Sequence, residues 1–258
     1  MKKYALVTGA SSGIGKSLAL QLAARGYTVL LTARSEERLK ELADLIATQY
    51  NVESLYLPLD LSAESAAKSL SNWCADLAVV PNVLVNNAGY GLWGNFTELN
   101  LDEQVNMHRL NTEAVIRLSF AILPLLKQHK QSYILNVSST AAYQPVPTLG
   151  VYAAGKSFVL SFSRALRAEL KGSAVSISCL CPGPTATGFA HRAGLDALAK
   201  LAEKFNMSPD LVAAEGLKGL FKGKAEIIPG FLNRFSAFGA IHAPDALVNW
   251  VTSRLYKA

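Results

Sequence analysis

Cysteine is scarce in this chain. There are three, Cys74, Cys179 and Cys181, an odd number without a metal-ligand spacing, so no metal site is expected. Cys179 and Cys181 alternate within an apolar run, which puts both on one side of a strand as small hydrophobes and suits a reducing compartment. No apolar run approaches the ~20 residues needed to span a bilayer. The opening Met1-Lys-Lys-Tyr-Ala-Leu-Val-Thr8 is basic, but its apolar run is too short for a signal peptide. The expectation is a cytoplasmic protein without membrane insertion. Linkers, charge blocks, internal repeats and low-complexity tracts are also missing, and Pro and Gly are scattered. With 258 residues, half of them hydrophobic, residues 1–258 read as one domain. The net charge of +6 is dispersed, so it reads as solubilising surface charge or as attraction for acidic small molecules, with no nucleic-acid partner expected.

What is present is an alternation. Tyr4–Thr8, Tyr27–Thr32, Ser54–Leu59, Val83–Gly89, Tyr133–Val137 and Val175–Cys181 read as strands, several of them apolar throughout. Helical periodicity runs over Lys16–Ala24, Glu36–Tyr50, Leu101–Lys127 and Val151–Leu170 between them. Strands buried on both faces and alternating with helices predict a doubly wound parallel β-sheet in a three-layer α/β/α arrangement. Ligands of such sheets bind beyond the carboxyl ends of the strands, where Gly9, Arg34, Asp60, Gly89, Ser139 and Pro182 would converge.

Three of these ends carry chemistry. Gly9-Ala-Ser-Ser-Gly13-Ile-Gly15 joins the first strand to the first helix. Glycines there let a pyrophosphate approach backbone N–H groups at a helix N-terminus, although an ordinary strand-to-helix loop also uses them. The second strand ends in Ala33-Arg34 with no acidic residue, so Arg34 suits a ribose 2′-phosphate or is a solvated helix-start residue. Asp60 either bonds an adenine amine or caps the next helix.

Tyr152 and Lys156, four apart on a helix, present a phenol and an ammonium to the same space. A neighbouring cation favours phenolate, so the pair can pass a proton near neutral pH; otherwise it is an exposed surface pair. Ser139 adds a hydroxyl that can hold a substrate oxygen. Asn111 sits mid-helix, either on an exposed face or as a buried amide that holds water or bends the helix. A rival reading takes Gly9-Ala-Ser11-Ser-Gly13 as the nucleophile elbow of a serine hydrolase, with Asp210 and His242 as partners. Against it, the turn follows the first strand, and no upstream loop supplies an oxyanion hole.

Taken together, Thr8-Gly-Ala-Ser-Ser-Gly-Ile-Gly15, Asn86-Asn-Ala-Gly89, Asn111, Ser139, Tyr152-x-x-x-Lys156 and Pro182-Gly183 closely resemble the short-chain dehydrogenase/reductase family. The resemblance implies a Rossmann fold with a seventh strand near Glu226–Ile228, homodimers or homotetramers, and hydride exchange between a nicotinamide and a carbonyl or hydroxyl group. It implies Tyr152 as general acid/base, Lys156 as the cation that lowers its pKa and binds the nicotinamide ribose, Ser139 as the carbonyl-orienting hydroxyl, and Asn111 as holder of a relay water. Gly9, Ser11, Ser12, Gly13, Ile14 and Gly15 would border the pyrophosphate side, Asp60 and Leu61 the adenine, and Asn87, Ala88 and Gly89 the ribose side. Pro182, Gly183 and Thr185 would also touch the cofactor, and Thr187 would lie near the nicotinamide amide and phosphates. Family members with Arg and no acid after the second strand generally prefer NADP(H), with Ser11, Ser12 and Arg34 on its 2′-phosphate side.

Residues 188–239 are the least motif-like and read as a substrate-binding lid. Leu195–Phe205 and Pro209–Phe221 read as helices, the second capped by Ser208, and Phe189, Phe205 and Met207 line a pocket or pack in the core. Tyr90, Trp93 and Phe96 are expected on the opposite wall. Phe231-Leu-Asn-Arg-Phe-Ser-Ala-Phe238 reads as subunit interface or core, ahead of pocket or membrane-surface contact. A small apolar ketone, aldehyde or acyl thioester is the expected substrate, with a non-catalytic NADP-binding protein as the alternative.

Overall fold

The computed structural model describes residues 2–194 and 206–255. Seven strands lie in one parallel sheet: β1 (Lys3–Thr8), β2 (Tyr27–Ala33), β3 (Ser54–Pro58), β4 (Val83–Asn86), β5 (Ser132–Val137), β6 (Val175–Leu180) and β7 (Glu226–Ile227). Their order across the sheet is 3-2-1-4-5-6-7, all neighbours parallel, which is the Rossmann-type doubly wound arrangement. The order reverses between β1 and β4, so a crevice opens where their carboxyl ends part.

Successive residues of a strand face opposite sides of a sheet, and the strands here are apolar at both phases. Ala5, Val7, Val29, Leu31, Val85 and Leu135 face one core, closed by α1 (Gly13–Ala23), α2 (Glu36–Tyr50) and α8 (Pro209–Phe221). Leu6, Leu30, Leu84 and Ile134 face the other, closed by α3 (Ala66–Asp76) and α5 (Ala114–Leu126). Beside α5 runs α6 (Gly150–Glu169), against Cys179 and Cys181, whose sulfurs lie 3.8 Å apart on the same side of the chain. Ser208 caps α8 as expected, its Oγ accepting from the Leu211 N–H (3.2 Å).

Four features depart from the sequence reading or decide between its alternatives. The helix expected over Leu101–Lys127 is two helices, α4 (Leu101–His108) and α5, joined through a π-helical turn at Arg109–Glu113. Such a turn carries an extra residue, which swings its side chains relative to an unbroken helix. Asn111 is thereby turned inward and is only 2 % exposed. Second, β4 stops at Asn86 instead of Gly89, because the N–H groups of Asn87 and Ala88 leave the ladder for Thr8 Oγ1 (2.9 and 3.0 Å). Third, of the two placements left open for Met207, pocket or core, the core is the one found: it is partly buried against the core cluster that α8 closes. Fourth, the aromatic run at Phe231–Phe238 is not core. It lies on α9 (Phe231–His242), which buries only Ala237 and leaves its phenylalanines exposed. The helix expected at Leu195–Phe205, with Phe205, falls outside the described residues.

Candidate active site

The glycine turn between β1 and α1 is built for close approach. Gly9 and Gly13 have φ of +63° and +54°, where a side chain would be strained. A Cβ on Gly9 would stand 2.8 Å from Asn87 Nδ2 and 2.9 Å from Ala88 Cα, and one on Gly15 would collide with the Gly9 carbonyl. The side chain of Ser12, which precedes α1, makes no capping bond to the first-turn N–H groups. A cradle of that kind, at a helix N-terminus, fits the pyrophosphate of a dinucleotide. Ser11 and Ile14 are half-buried in the turn and Ser12 is exposed. Thr187 reaches back to it, its methyl 3.0 Å from where a Gly13 Cβ would be.

Thr8, given no site role from the sequence, fastens the crevice. Its hydroxyl donates to Val85 O (3.0 Å) and accepts from Asn87 and Ala88, while Asn87 Nδ2 donates to Thr8 O (2.9 Å) and Gly9 O (3.3 Å). These bonds tie the turn after β1 to the loop after β4.

On the adenine side, Asp60 Oδ1 accepts from the Ser62 N–H (2.9 Å) and hydroxyl (2.8 Å). It closes its own turn; the helix cap considered from sequence is not formed, since α3 starts only at Ala66. Partial burial pushes its carboxyl up, but the two Ser62 bonds and the Arg34 guanidinium outweigh that and leave it below the usual carboxylate range. Arg34 is exposed just past β2, near Asp60, and Leu61 is buried beside Ala88 in a small void.

Three of the four residues singled out for proton chemistry lie together: Lys156 is beside Tyr152 and shares the space around Gly89 with Asn111. Lys156, 5 % exposed, donates through Nζ to Val137 O (3.0 Å) and lies 5.7 Å from the Tyr152 ring centroid. Burial pulls its pKa down to about 8, against an opposing influence of the Cys179 and Cys181 thiols. Tyr152 is buried, so the pair is no surface pair. Asn111 exchanges two bonds with the Tyr90 backbone, accepting its N–H (3.1 Å) and donating to its carbonyl (2.8 Å). Ser139 begins the 3-10 turn Thr140–Tyr143, where its Oγ accepts from the Ala141 N–H (3.1 Å). That bond leaves the Ser139 O–H to donate elsewhere. The turn is anchored at its far end, where the Tyr143 hydroxyl donates to Glu226 Oε1 (2.5 Å) and Arg164 bonds the other oxygen. Burial first, then Cys181 and Glu226, hold the Tyr143 phenol far above its usual pKa, so it stays a protonated structural donor.

Around Tyr152 lies an apolar cluster of Met107, Val146, Leu149, Tyr90, Trp93 and Phe189. Phe189, on the short helix α7 (Phe189–Arg192), packs 5.4 Å from the Tyr152 ring and so close to Gly91 that a Cβ there would stand 2.7 Å from it. Phe96 is 67 % exposed and does not join this wall. An open groove of about 580 Å³, lined in part by Gln144, Pro147, Val146 and Ala153, borders the cluster.

Pro182 O accepts from the Thr140 N–H (2.9 Å), tying the end of β6 to the turn after Ser139. Gly183 packs against the Asn233 side chain of α9, and Thr185 Oγ1 donates back to Gly183 O (2.9 Å). Thr187 Oγ1 accepts from the Phe189 N–H (3.2 Å). The hydrolase constellation is not assembled: the Asp210 carboxylate accepts from Ser17 (2.6 Å), His242 packs on Phe238, and among the described residues no hydrogen bond joins Ser11, Asp210 and His242.

Residues 3–197 match the short chain dehydrogenase family. Very-long-chain 3-oxoacyl-CoA reductase of Rattus norvegicus is 34% identical over 192 residues, 73% of this chain and 61% of that protein. The reductase-B of Danio rerio is 35% identical over 184 residues, 70% of this chain and 58% of that protein. The chain thus spans about three fifths of the length of these curated relatives. Among solved structures, a short-chain dehydrogenase from Sphingobium yanoikuyae in complex with NADPH is 30% identical, covers 97% of this chain and 95% of that one, and superposes with a TM-score of 0.83. A bulky-bulky ketone specific alcohol dehydrogenase from Comamonas testosteroni is 25% identical, with coverages of 98% and 92% and a TM-score of 0.77. With the parallel sheet, the glycine cradle and the buried Tyr152–Lys156 pair, the chain belongs to the short-chain dehydrogenase family.

Proposed function

We propose that the protein is an NADP(H)-dependent carbonyl reductase and alcohol dehydrogenase acting on a small apolar ketone, aldehyde or acyl thioester. The observation that carries this reading is the buried Lys156 ammonium beside the Tyr152 phenol, with the Asn111 amide on the same side of Gly89. A structural or scaffold protein has no use for a desolvated proton donor there.

When bound, the nicotinamide supplies the hydride in reduction and takes it up in oxidation. The chain's own groups do the rest. The Ser139 hydroxyl donates to the carbonyl oxygen and fixes its place. Tyr152 gives its phenolic proton to the oxygen as negative charge develops there, and takes it back in the reverse direction. The Lys156 ammonium lowers the cost of the phenolate that remains. Asn111 holds a water through which Lys156 exchanges protons with solvent. The turn from Gly9 to Gly15 would hold the pyrophosphate, with Ser11, Ser12 and Arg34 towards a 2′-phosphate, Asp60 and Leu61 towards adenine, and Asn87, Ala88 and Gly89 towards ribose. Pro182, Gly183, Thr185 and Thr187 would flank the nicotinamide.

NADP(H) over NAD(H) is supported by Arg34 just past β2, where the strand itself ends without an acidic residue, and by the NADPH complex of the Sphingobium relative. The apolar wall of Tyr90, Trp93, Val146 and Phe189 supports an apolar substrate. The oxoacyl-thioester and bulky-ketone relatives name the two classes to try first. The test is NADPH oxidation by the purified protein against aromatic ketones, steroid ketones, sugars, quinones and 3-oxoacyl thioesters, repeated with Tyr152→Phe. Turnover on one class, falling about 10²–10⁴-fold in the variant, is the expected result. Full turnover by Tyr152→Phe would sink the mechanism.

A further inference from the structure

Helices α9 and α10 (Asp245–Leu255) follow one another across Ala243-Pro244 and turn most of their side chains away from the body. On α9 the buried Ala237 and half-buried Asn233, four apart, mark the inner face. At about 100° per residue, Phe231, Phe235 and Phe238 fall within roughly 60° of one another on the opposite face, with Leu232 and Ile241 beside them. On α10, Val248 and Thr252 face inward, while Leu247 and Trp250 face out. These seven outward apolar residues each expose between 52% and 73% of their surface. Since an aromatic side chain carries about 150–250 Å², the five outward apolar residues on α9 alone expose on the order of 600 Å², at the top of the ~300–600 Å² of the largest apolar patch on a typical monomer.

Area alone suits either a lipid surface or a second copy of the chain. Charge separates them. Along α9 and α10 the charged residues are two arginines, Arg234 and Arg254, and one acid, Asp245, and the chain leading to them from Lys218 adds three lysines and Glu226. Glu226 is already engaged by Arg164. Arg234 flanks the phenylalanine stripe, and the Arg254 guanidinium lies 4.1 Å from the Trp250 ring centroid. Two copies meeting through this face would bring arginines together with little acid to answer them. An anionic bilayer surface satisfies both parts, taking the rings at the headgroup boundary and the guanidiniums at the phosphates.

We propose that α9 and α10 form an amphipathic helical pair that docks the protein on anionic lipid surfaces, lying in the interface without crossing it. No helix among the described residues is long and apolar enough to cross a membrane. The inference stands apart from the reductase reading, because lipid binding needs no turnover.

The experiment is co-sedimentation of the full chain with vesicles of phosphatidylcholine alone and of phosphatidylcholine mixed with phosphatidylglycerol, at low and high salt. Binding to the anionic vesicles, weakened by salt and by omission of phosphatidylglycerol, is expected. Phe235→Ser/Phe238→Ser should lower partitioning by about a hundredfold, given the burial energy of two aromatic rings, while sedimenting in lipid-free buffer as the wild type does. As a readout that needs no patch-disrupting variant, wild-type tryptophan fluorescence should shift to the blue on anionic vesicles, and Trp250→Phe should lose that shift. Wild-type protein left in the supernatant at low salt overturns the proposal. So does a wild-type dimer that becomes monomeric in Phe235→Ser/Phe238→Ser, which would assign the face to a second copy.

Discussion

Asn111 Oδ1 and Lys156 Nζ border the same point in space, the position a Cβ would take on Gly89: the first would be 2.7 Å from it and the second 3.6 Å. Gly89 is where the loop after β4 passes between the π-helical turn and α6. The absence of its side chain lets the amide and the ammonium share one side of the crevice, and the Asn111–Tyr90 backbone pair keeps the amide there.

Gly89→Ala is accordingly expected to push Asn111 off Tyr90. Displacing a positioned group by about an ångström costs on the order of a hundredfold in rate. Forcing a methyl into a filled site costs about 1–3 kcal/mol of stability. Turnover and urea midpoints of the variant check both, and unchanged turnover would remove Asn111 from the proton path.

The lowered pKa of Lys156 sets a pH limit. Its ammonium is present below pH about 8 and is lost as pH rises through that value. Reduction needs both the cation and the Tyr152 proton, so kcat/KM for reduction should fall by about tenfold per pH unit above it, with apparent values belonging to the pair. A flat profile into alkaline pH would refute the role.

The same shift has a stability consequence of fixed sign. Between about 8 and the ordinary 10.5 the unfolded chain binds more protons at Lys156 than the folded one does. The native state should therefore gain stability from this residue as pH rises through that window. Relative to Lys156→Met, the urea midpoint of the wild type should climb across it, and parallel pH profiles of the two would contradict the desolvated lysine.

Arg34→Ala removes the one cation placed at the end of β2 near Asp60. A charge-assisted bond is worth about 1.5–3 kcal/mol, so NADPH affinity should drop roughly 10–100-fold with NADH affinity little changed. Titration of both cofactors decides it, and equal losses would count against the assignment.

Phe189→Ala opens the wall between Gly91 and Tyr152. For an apolar substrate, KM is expected to rise about tenfold or more while kcat changes less, because the ring contacts substrate and transition state alike. A fall confined to kcat would instead mean that Phe189 serves to orient Tyr152.

What the sequence by itself determined is the part of this protein governed by neighbours in the chain. Apolar runs of strand length between helical periods dictate the layers, glycines where φ turns positive dictate the first loop, and a four-residue step puts Tyr152 and Lys156 on one face of α6. Ser208 was legible as a cap for the same local reason. Contacts between distant segments decided the rest. That Asn111 points inward depends on a π-helical turn stabilised by the Tyr90 backbone, 21 residues away. That β4 ends early depends on Thr8, 79 residues before Asn87. That Phe189 covers Tyr152, and that the phenylalanines of α9 stay uncovered, follows from which surfaces the sheet and α6 had already filled. No periodicity records this, because hydrophobic spacing says which face of a helix is apolar and not whether anything comes to cover it.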